Sequence, residues 1–220
     1  TRGTLVLVNN KNHWDFPENP ELTSLYDLKS DSYSLRSTDM QANRCTIEAL
    51  NAMLDDFQAE TGIGDINVVS AYRTYEDQEA LLDTALAQEG EEHARRYTAQ
   101  PGGSEHHTGL VIDFQIYRDG ASYRFDGAGD YGWIYDHCAA YGFVRRFRLD
   151  KEQYTGIADE SWHFRYVGIP HAQLMQTLDL CLEEYLDLVK TYSWDGEHLL
   201  ADGYEIYYCA GDTVYVPDGA

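Results

Sequence analysis

Basic residues are scarce in this chain. Sixteen Lys plus Arg stand against 38 Asp plus Glu in 220 residues, a net charge of −22. A chain so poor in cations offers no basic patch to neutralise phosphates, which argues against nucleic acid as a partner. It argues equally against electrostatic capture by an anionic membrane surface. Long apolar runs are missing too, and none approaches the roughly 18 residues that a membrane-spanning helix needs. Cysteine is limited to Cys45, Cys138, Cys181 and Cys209. No two of these form a C-x-x-C pair, so neither a cysteine zinc site nor a thioredoxin-like motif is indicated. They allow two disulfides in three connectivities, or they are small buried hydrophobes, a reading favoured for Cys138 and Cys181 by their apolar helical surroundings. The H-E-x-x-H pattern of helical zinc proteases is absent. So are internal repeats, low-complexity tracts and clear linkers. The chain begins at Thr1 without an apolar signal-like stretch, and any export signal or anchor is expected upstream.

What remains is a Tyr-rich chain with 43% hydrophobic residues, enough for a core and of a length for one domain with at most a small appendage. Leu5–Val8 reads as a short strand, followed by a loop from Phe16 to Pro20. Ile47, Leu50, Met53, Leu54 and Phe57 recur at helical spacing between Cys45 and about Glu60, with Gly62 and Gly64 ending that helix. Ile66–Tyr72 reads as a strand. Thr74 followed by Asp77 marks an N-cap, opening a helix to about Tyr97. Leu110–Tyr117 is strand-like, Asp130–Tyr141 a short helix stopped at Gly142, and Trp162–Val167 another strand. Pro170 fits the first turn of a helix reaching about Tyr192. Tyr204–Cys209 and Thr213–Val216 are strand candidates with a Gly-Asp turn between them. The irregular alternation and hairpin-length gaps point to an α+β fold, with a mainly antiparallel sheet and flanking helices. Residues 1–192 form the expected main domain, and 193–220 a C-terminal β extension of it.

Three segments concentrate polar chemistry: Ser104–Asp113, Glu160–Tyr166 and Ser70–Gln78. A catalytic zinc takes about three N or O ligands and keeps one position open for water. His106, Asp113 and His163 supply such a set, with Glu160 as general base. Strand parity complicates the choice. His106 and Asp113 are an odd number of residues apart, so a straight strand would put them on opposite faces, and Thr108-Gly109 is where the chain could bend. His107 with Asp113 has even parity and suits a straight strand. Glu160 and His163 are also oddly spaced, and share a metal only if Glu160 lies on a turn before the strand.

The pattern S-x-H-x-x-G-x-x-x-D followed by E-x-W-H-F-R-Y resembles the VanY-type D-alanyl-D-alanine carboxypeptidases. That family shares a Hedgehog/DD-peptidase-like fold with VanX-type D,D-dipeptidases, bacterial L,D-carboxypeptidases and the Hedgehog signalling domain. Y-R-T-Y-E-D-Q, Tyr72 to Gln78, is similar to the family's Arg-bearing segment. The likeness runs from about Leu5 to Tyr192, with the three motifs in the family's order. One departure is Val111, where the family often has Ala. The resemblance favours His106 over His107, which fills a position that is often Gln. It implies Zn²⁺ held by His106, Asp113 and His163, Glu160 as base, and Arg73 at the oxyanion and substrate carbonyl. It implies Ser104 in the substrate pocket and Gln78 on the substrate peptide.

The implied activity is removal of a terminal D-amino acid, D-Ala, from peptidoglycan stem peptides at a bacterial cell surface or outside the cell. D-Ala-D-Ala cleavage is favoured. L,D-carboxypeptidase and endopeptidase action are alternatives, and a zinc-stabilised binding domain is the non-enzymatic one. Arg73, Arg165 and the metal would make a locally cationic pocket in an acidic body.

Overall fold

The apolar stripe Ile47, Leu50, Met53, Leu54 and Phe57 is fully buried and gives one long helix its inner face. That helix packs on a sheet whose inward residues alternate along the strands, as period-two geometry requires. The computed structural model describes residues 3–17, 21–201 and 203–209. Its elements are β1 (Leu22–Ser24), α1 (Leu25–Leu28), β2 (Ser34–Leu35), β3 (Gln41–Asn43), α2 (Arg44–Thr61), β4 (Ile66–Ser70), α3 (Tyr75–Glu89), α4 (Glu91–Tyr97) and β5 (Val111–Arg118). They continue with β6 (Ala121–Arg124), α5 (Gly132–His137), β7 (Phe143–Phe147), α6 (Glu152–Thr155), β8 (Glu160–Tyr166), α7 (Ile169–Thr177), α8 (Leu182–Val189), β9 (Leu199–Ala201) and β10 (Tyr204–Ile206).

The main sheet runs β2-β4-β5-β8-β7, with β6 paired to the far end of β5. Among the described residues of this sheet only the short β2–β4 pairing is parallel, so the expected α+β fold with a mainly antiparallel sheet is what forms. Ile112, Phe114 and Ile116 of β5 point inward beside Val68 and Phe164, against α2. The outward residue Asp113 faces the opposite side, where the site lies. A second apolar cluster joins Val144, Met175, Leu182, Tyr185 and Ile206, tying the 199–206 hairpin to α7 and α8.

Several expected elements differ. Leu5–Val8 is not a strand. Val6 and Val8 are buried against Leu110, but the carbonyls of Thr4 and Val6 accept hydrogen bonds from Arg165 Nη2 at 2.9 and 2.8 Å. A guanidinium, not a neighbouring strand, satisfies this backbone. The helix from Thr74 opens with the expected cap, a reciprocal box with Asp77, yet breaks at Gly90 (φ 86°) into α3 and α4. The helix expected to reach Tyr192 also divides. Asp179 sits at φ 54° and its carboxylate lies 2.7 Å from Arg148 Nη2, while Glu184 caps the restart by accepting from Cys181 N–H at 2.9 Å. Tyr204–Ile206 pairs backward with Leu199–Ala201; the Thr213–Val216 candidate lies outside the described residues. All four cysteines are free thiols, two buried and two half-buried.

Gly109 is where the chain turns from a 3₁₀ turn (Glu105–Thr108) into β5. Its φ is 70°, and a Cβ there would lie 2.6 Å from Leu22 Cδ2 and 3.1 Å from Asn43 N. Gly109→Ala should therefore cost about 1–3 kcal/mol, read as a lower urea midpoint at constant slope. An unchanged midpoint would mean that this turn accepts a side chain.

Candidate metal centre and active site

The Ser104-Glu105-His106-His107 segment is folded by its own polar groups. Ser104 Oγ accepts from the His106 N–H at 3.4 Å, which starts the 3₁₀ turn. Gly109 in the left-handed region then redirects the chain, so the bend expected at Thr108-Gly109 is present. His106 consequently faces Asp113 on β5 despite their odd spacing. His163 is the register partner of Asp113 across the β5–β8 ladder.

These three side chains converge. His106 Nε2 lies 3.2 Å from Asp113 Oδ2, and His163 Nδ1 lies 3.1 Å from Asp113 Oδ1. One ligand atom from each falls within 4.8 Å of the others, and all three residues are buried. Asp113 Oδ1 is buried without a hydrogen-bond partner, so its lone pairs are free for a cation, as a metal site requires. The outer atoms are arranged to match. His106 Nδ1–H donates to Ala71 O at 2.6 Å, which fixes its ring and leaves Nε2 as the inward atom. His163 Nε2 lies 3.6 Å from Glu105 Oε2. Burial opposes charge on Asp113, but His106 and His163 outweigh it and hold the carboxyl well below the usual range. Burial likewise disfavours the charged form of His163, yet Asp113 and the neighbouring carboxylates raise it to about 9. Two imidazoles among three carboxylates make a cluster that attracts positive charge.

Glu160 Oε2 lies 3.4 Å from His163 Nδ1. It does not sit on a turn before the strand, as its spacing suggested, but is the first residue of β8. The β7–β8 ladder slips register between Arg145 and Phe147, opposite Glu160–Phe164, and this irregularity breaks the straight-strand parity. Burial pushes the Glu160 carboxyl up to about 7.

Arg73, Gln78, Ser104 and Trp162 line the same cavity, about 480 Å³ in volume, with Asp113, Glu160, His106 and His163. Arg73 Nη1 donates to Gln78 Oε1 at 2.6 Å, and Nη2 donates to Ser70 Oγ at 3.0 Å. The Gln78 amide also donates to Ala99 O at 2.8 Å, so each end of this side chain makes one hydrogen bond within the protein. His107 is not among the converging residues. Its Nδ1–H donates to Arg73 O at 2.7 Å and its Nε2 accepts from Gly102 N–H at 3.1 Å, latching two loops together. Arg165 is fully buried and lines no part of the cavity, so it is not the pocket cation that was expected.

Glu105 escaped the sequence reading. It is 3% exposed and shares its Oε1 between Arg146 Nε and Arg165 Nη1, each at 2.9 Å. Arg146 in turn forks onto both oxygens of Glu183 at 2.9 and 2.6 Å. Burial would raise the Glu105 pKa, but the two arginines overcome it and hold the carboxyl well below the usual range.

A mainly antiparallel sheet carries a buried His–Asp–His group that could hold a metal, with a carboxylate and an arginine in the same cleft. The chain belongs to the VanY family of D-alanyl-D-alanine carboxypeptidases, which matches residues 39–169. It is 38% identical over 146 residues to the putative carboxypeptidase YodJ of Bacillus subtilis, covering 65% of this chain and 54% of that protein. The chain thus spans about half the length of that curated relative. Among solved structures it is similar to the D,D-dipeptidase VanXYg with a D-Ala-D-Ala phosphinate analogue, at 34% identity and TM-score 0.85 over 99% of this chain and 86% of that one. A VanB-type D,D-pentapeptidase VanY with Zn(II) gives 30% identity and TM-score 0.70, over 83% and 98%. The LD-carboxypeptidase LdcB gives 30% and 0.69, over 84% and 86%.

Removing the Glu105 carboxylate strands the buried Arg165 charge beside Arg146. Glu105→Ala should cost about 3–5 kcal/mol of stability, measured by denaturant unfolding. A loss under about 1 kcal/mol, the scale of an exposed ion pair, would show that the network contributes little.

Proposed function

We propose that this chain is a zinc carboxypeptidase that removes terminal D-Ala from peptidoglycan stem peptides outside the bacterial membrane, with D-Ala-D-Ala as the preferred bond. The observation that carries this reading is one buried carboxylate, Glu160, beside the His–Asp–His group in a cleft that also presents Arg73. His106 through Nε2, His163 through Nδ1 and Asp113 through its carboxylate would hold the metal. A bound zinc supplies Lewis acidity toward a water and toward the scissile carbonyl. Glu160 takes a proton from the attacking water and returns it to the leaving amine; a carboxyl raised by burial suits both halves of that task near neutrality. Arg73 donates to the carbonyl oxygen as negative charge develops there. Gln78 and Ser70 hold its guanidinium in place beforehand, and a preorganised donor of this kind is commonly worth about 10²–10³ in rate. Gln78 positions Arg73, and its second amide N–H and remaining oxygen lone pair are left for the substrate peptide. Ser104 remains a substrate contact: its oxygen caps the His106 turn while its hydroxyl hydrogen is left to donate.

L,D specificity is the second reading, supported by a likeness to LdcB as close as that to VanY. Defined muropeptides with tetrapeptide and pentapeptide stems separate the two when products are read by mass. Loss of one D-Ala from the pentapeptide stem is expected. Loss from the tetrapeptide stem alone would replace D,D with L,D specificity, and zinc binding with no release from either would favour a binding domain. Glu160→Gln should retain stoichiometric zinc by metal analysis while turnover falls about 10²–10⁴-fold. Turnover near wild type in that variant would remove Glu160 as the base.

A further inference from the structure

A carboxypeptidase must recognise a free carboxylate one residue past the scissile carbonyl, at most about 3.3–3.6 Å further along the chain. Three Lys or Arg side chains line the cleft: Lys11, Arg73 and Arg146. Arg146 is buried and bonded to Glu105 and Glu183. Arg73 is bonded to Gln78 and Ser70 beside the reacting centre. The Lys11 ammonium pairs with no carboxylate among the described residues, in a chain where acids outnumber bases 38 to 16. We propose that Lys11 binds the free terminal carboxylate of the substrate and so selects chain ends over internal peptide bonds. This rests on the carboxypeptidase reading of the same cleft.

The turn that carries Lys11 is built to hold it still. Asn9 and Asn12 exchange backbone hydrogen bonds, both at 3.0 Å. Asn9 Oδ1 accepts from the N–H groups of Lys11 and Asn12, each at 2.9 Å, and from Asn12 Nδ2 at 3.0 Å. Asn10 Oδ1 accepts from Gln100 N–H at 2.9 Å, which fastens the turn to the opposite loop. Gly103 permits that approach, since a Cβ there would lie 2.6 Å from Asn10 Oδ1 and 3.1 Å from Asn10 N. The segment so fastened leads directly into Ser104 and His106. The Lys11 backbone is therefore fixed relative to the metal ligands, and less ordering is left to do when substrate binds. Glu105 is neutralised by Arg146 and Arg165 and Arg73 is held by Gln78 and Ser70, so among the described residues the exposed Lys11 ammonium is the cleft cation left without a partner. A compact ammonium suits this role because it needs no planar fork geometry.

Binding of diacetyl-L-Lys-D-Ala-D-Ala and of its C-terminal amide to zinc-loaded Glu160→Gln protein tests the assignment by calorimetry, without turnover. The acid should bind about tenfold more tightly than the amide, the scale of one hydrogen bond to a charged group. Adding Lys11→Met should abolish that preference by weakening the acid alone, and Lys11→Arg should restore most of it. A preference that survives Lys11→Met, or failure of the acid to bind, overturns the proposal. Turnover of the acid by wild-type protein is measured in parallel. Turnover with a Lys11-independent preference sinks the Lys11 assignment alone; a Lys11-dependent preference without turnover supports it and sinks the carboxypeptidase reading.

Discussion

The site depends on a carboxylate that performs none of the proposed chemistry. Glu105 is buried beside two arginines, with its second oxygen 3.6 Å from the outer nitrogen of His163. Burying such a group is costly, and only close pairing offsets the lost hydration. Here the pairing joins parts of the chain that are remote in sequence. Arg165 carries the constraint to the carbonyls of Thr4 and Val6, and Arg146 carries it to Glu183 on α8. The charges share partners, Arg146 with Glu105 and Glu183 and Glu105 with Arg146 and Arg165, so the N-terminal segment, β7, β8 and α8 are tied together beside His163. We read the network as a device for geometric uniqueness more than for net stability, since a well-packed apolar replacement could be as stable.

Charge pairs between distant parts of the chain explain which parts of the fold were legible in the sequence. Where local rules act alone, expectation and structure agree. The α2 stripe is continuous, the Thr74–Asp77 box caps α3, and Gly109 bends the chain toward His106. Where a distant charge intervenes, they part. Leu5–Val8 has strand composition, but Arg165 takes its carbonyls. The 170–192 stretch has helical periodicity, but Asp179, drawn to Arg148, leaves the helix. Glu105 itself was invisible because, in a chain with 38 acids, one more beside a serine reads as a solvated turn residue. The ligand set was legible because its residue types and spacing recur together; the backbone irregularity that seats Glu160 was not, because a register slip leaves no periodic signal.

Charge also reads differently once placed. Among the residues that line the cleft, Lys11, Arg73 and Arg146 stand with Glu105, Asp113 and Glu160, so its protein charges are balanced before any metal is counted. Arg165 contributes to the pocket only through Glu105. The acid excess lies largely elsewhere, on exposed positions such as Glu91, Glu92 and Asp55, where it keeps the surface solvated.

Both strands that frame the centre change register at the site. The β4–β5 ladder shifts between Val68 and Ser70, and the β7–β8 ladder shifts between Arg145 and Phe147. Ser70, just past the first shift, accepts from Arg73 and lies 3.3 Å from His106 Nδ1. Glu160, at the second, reaches His163. An unbroken antiparallel sheet would alternate these groups between its two faces, leaving Glu160 and His163 on opposite sides. Bulges turn selected side chains while the surrounding ladder keeps its hydrogen bonds. The rigid β5–β8 pairing between them places Asp113 and His163 opposite each other. The division of labour is thus structural: regular pairing seats Asp113 and His163, the turn at Gly109 brings His106 to them, and broken register brings the groups that would act on substrate to the same face.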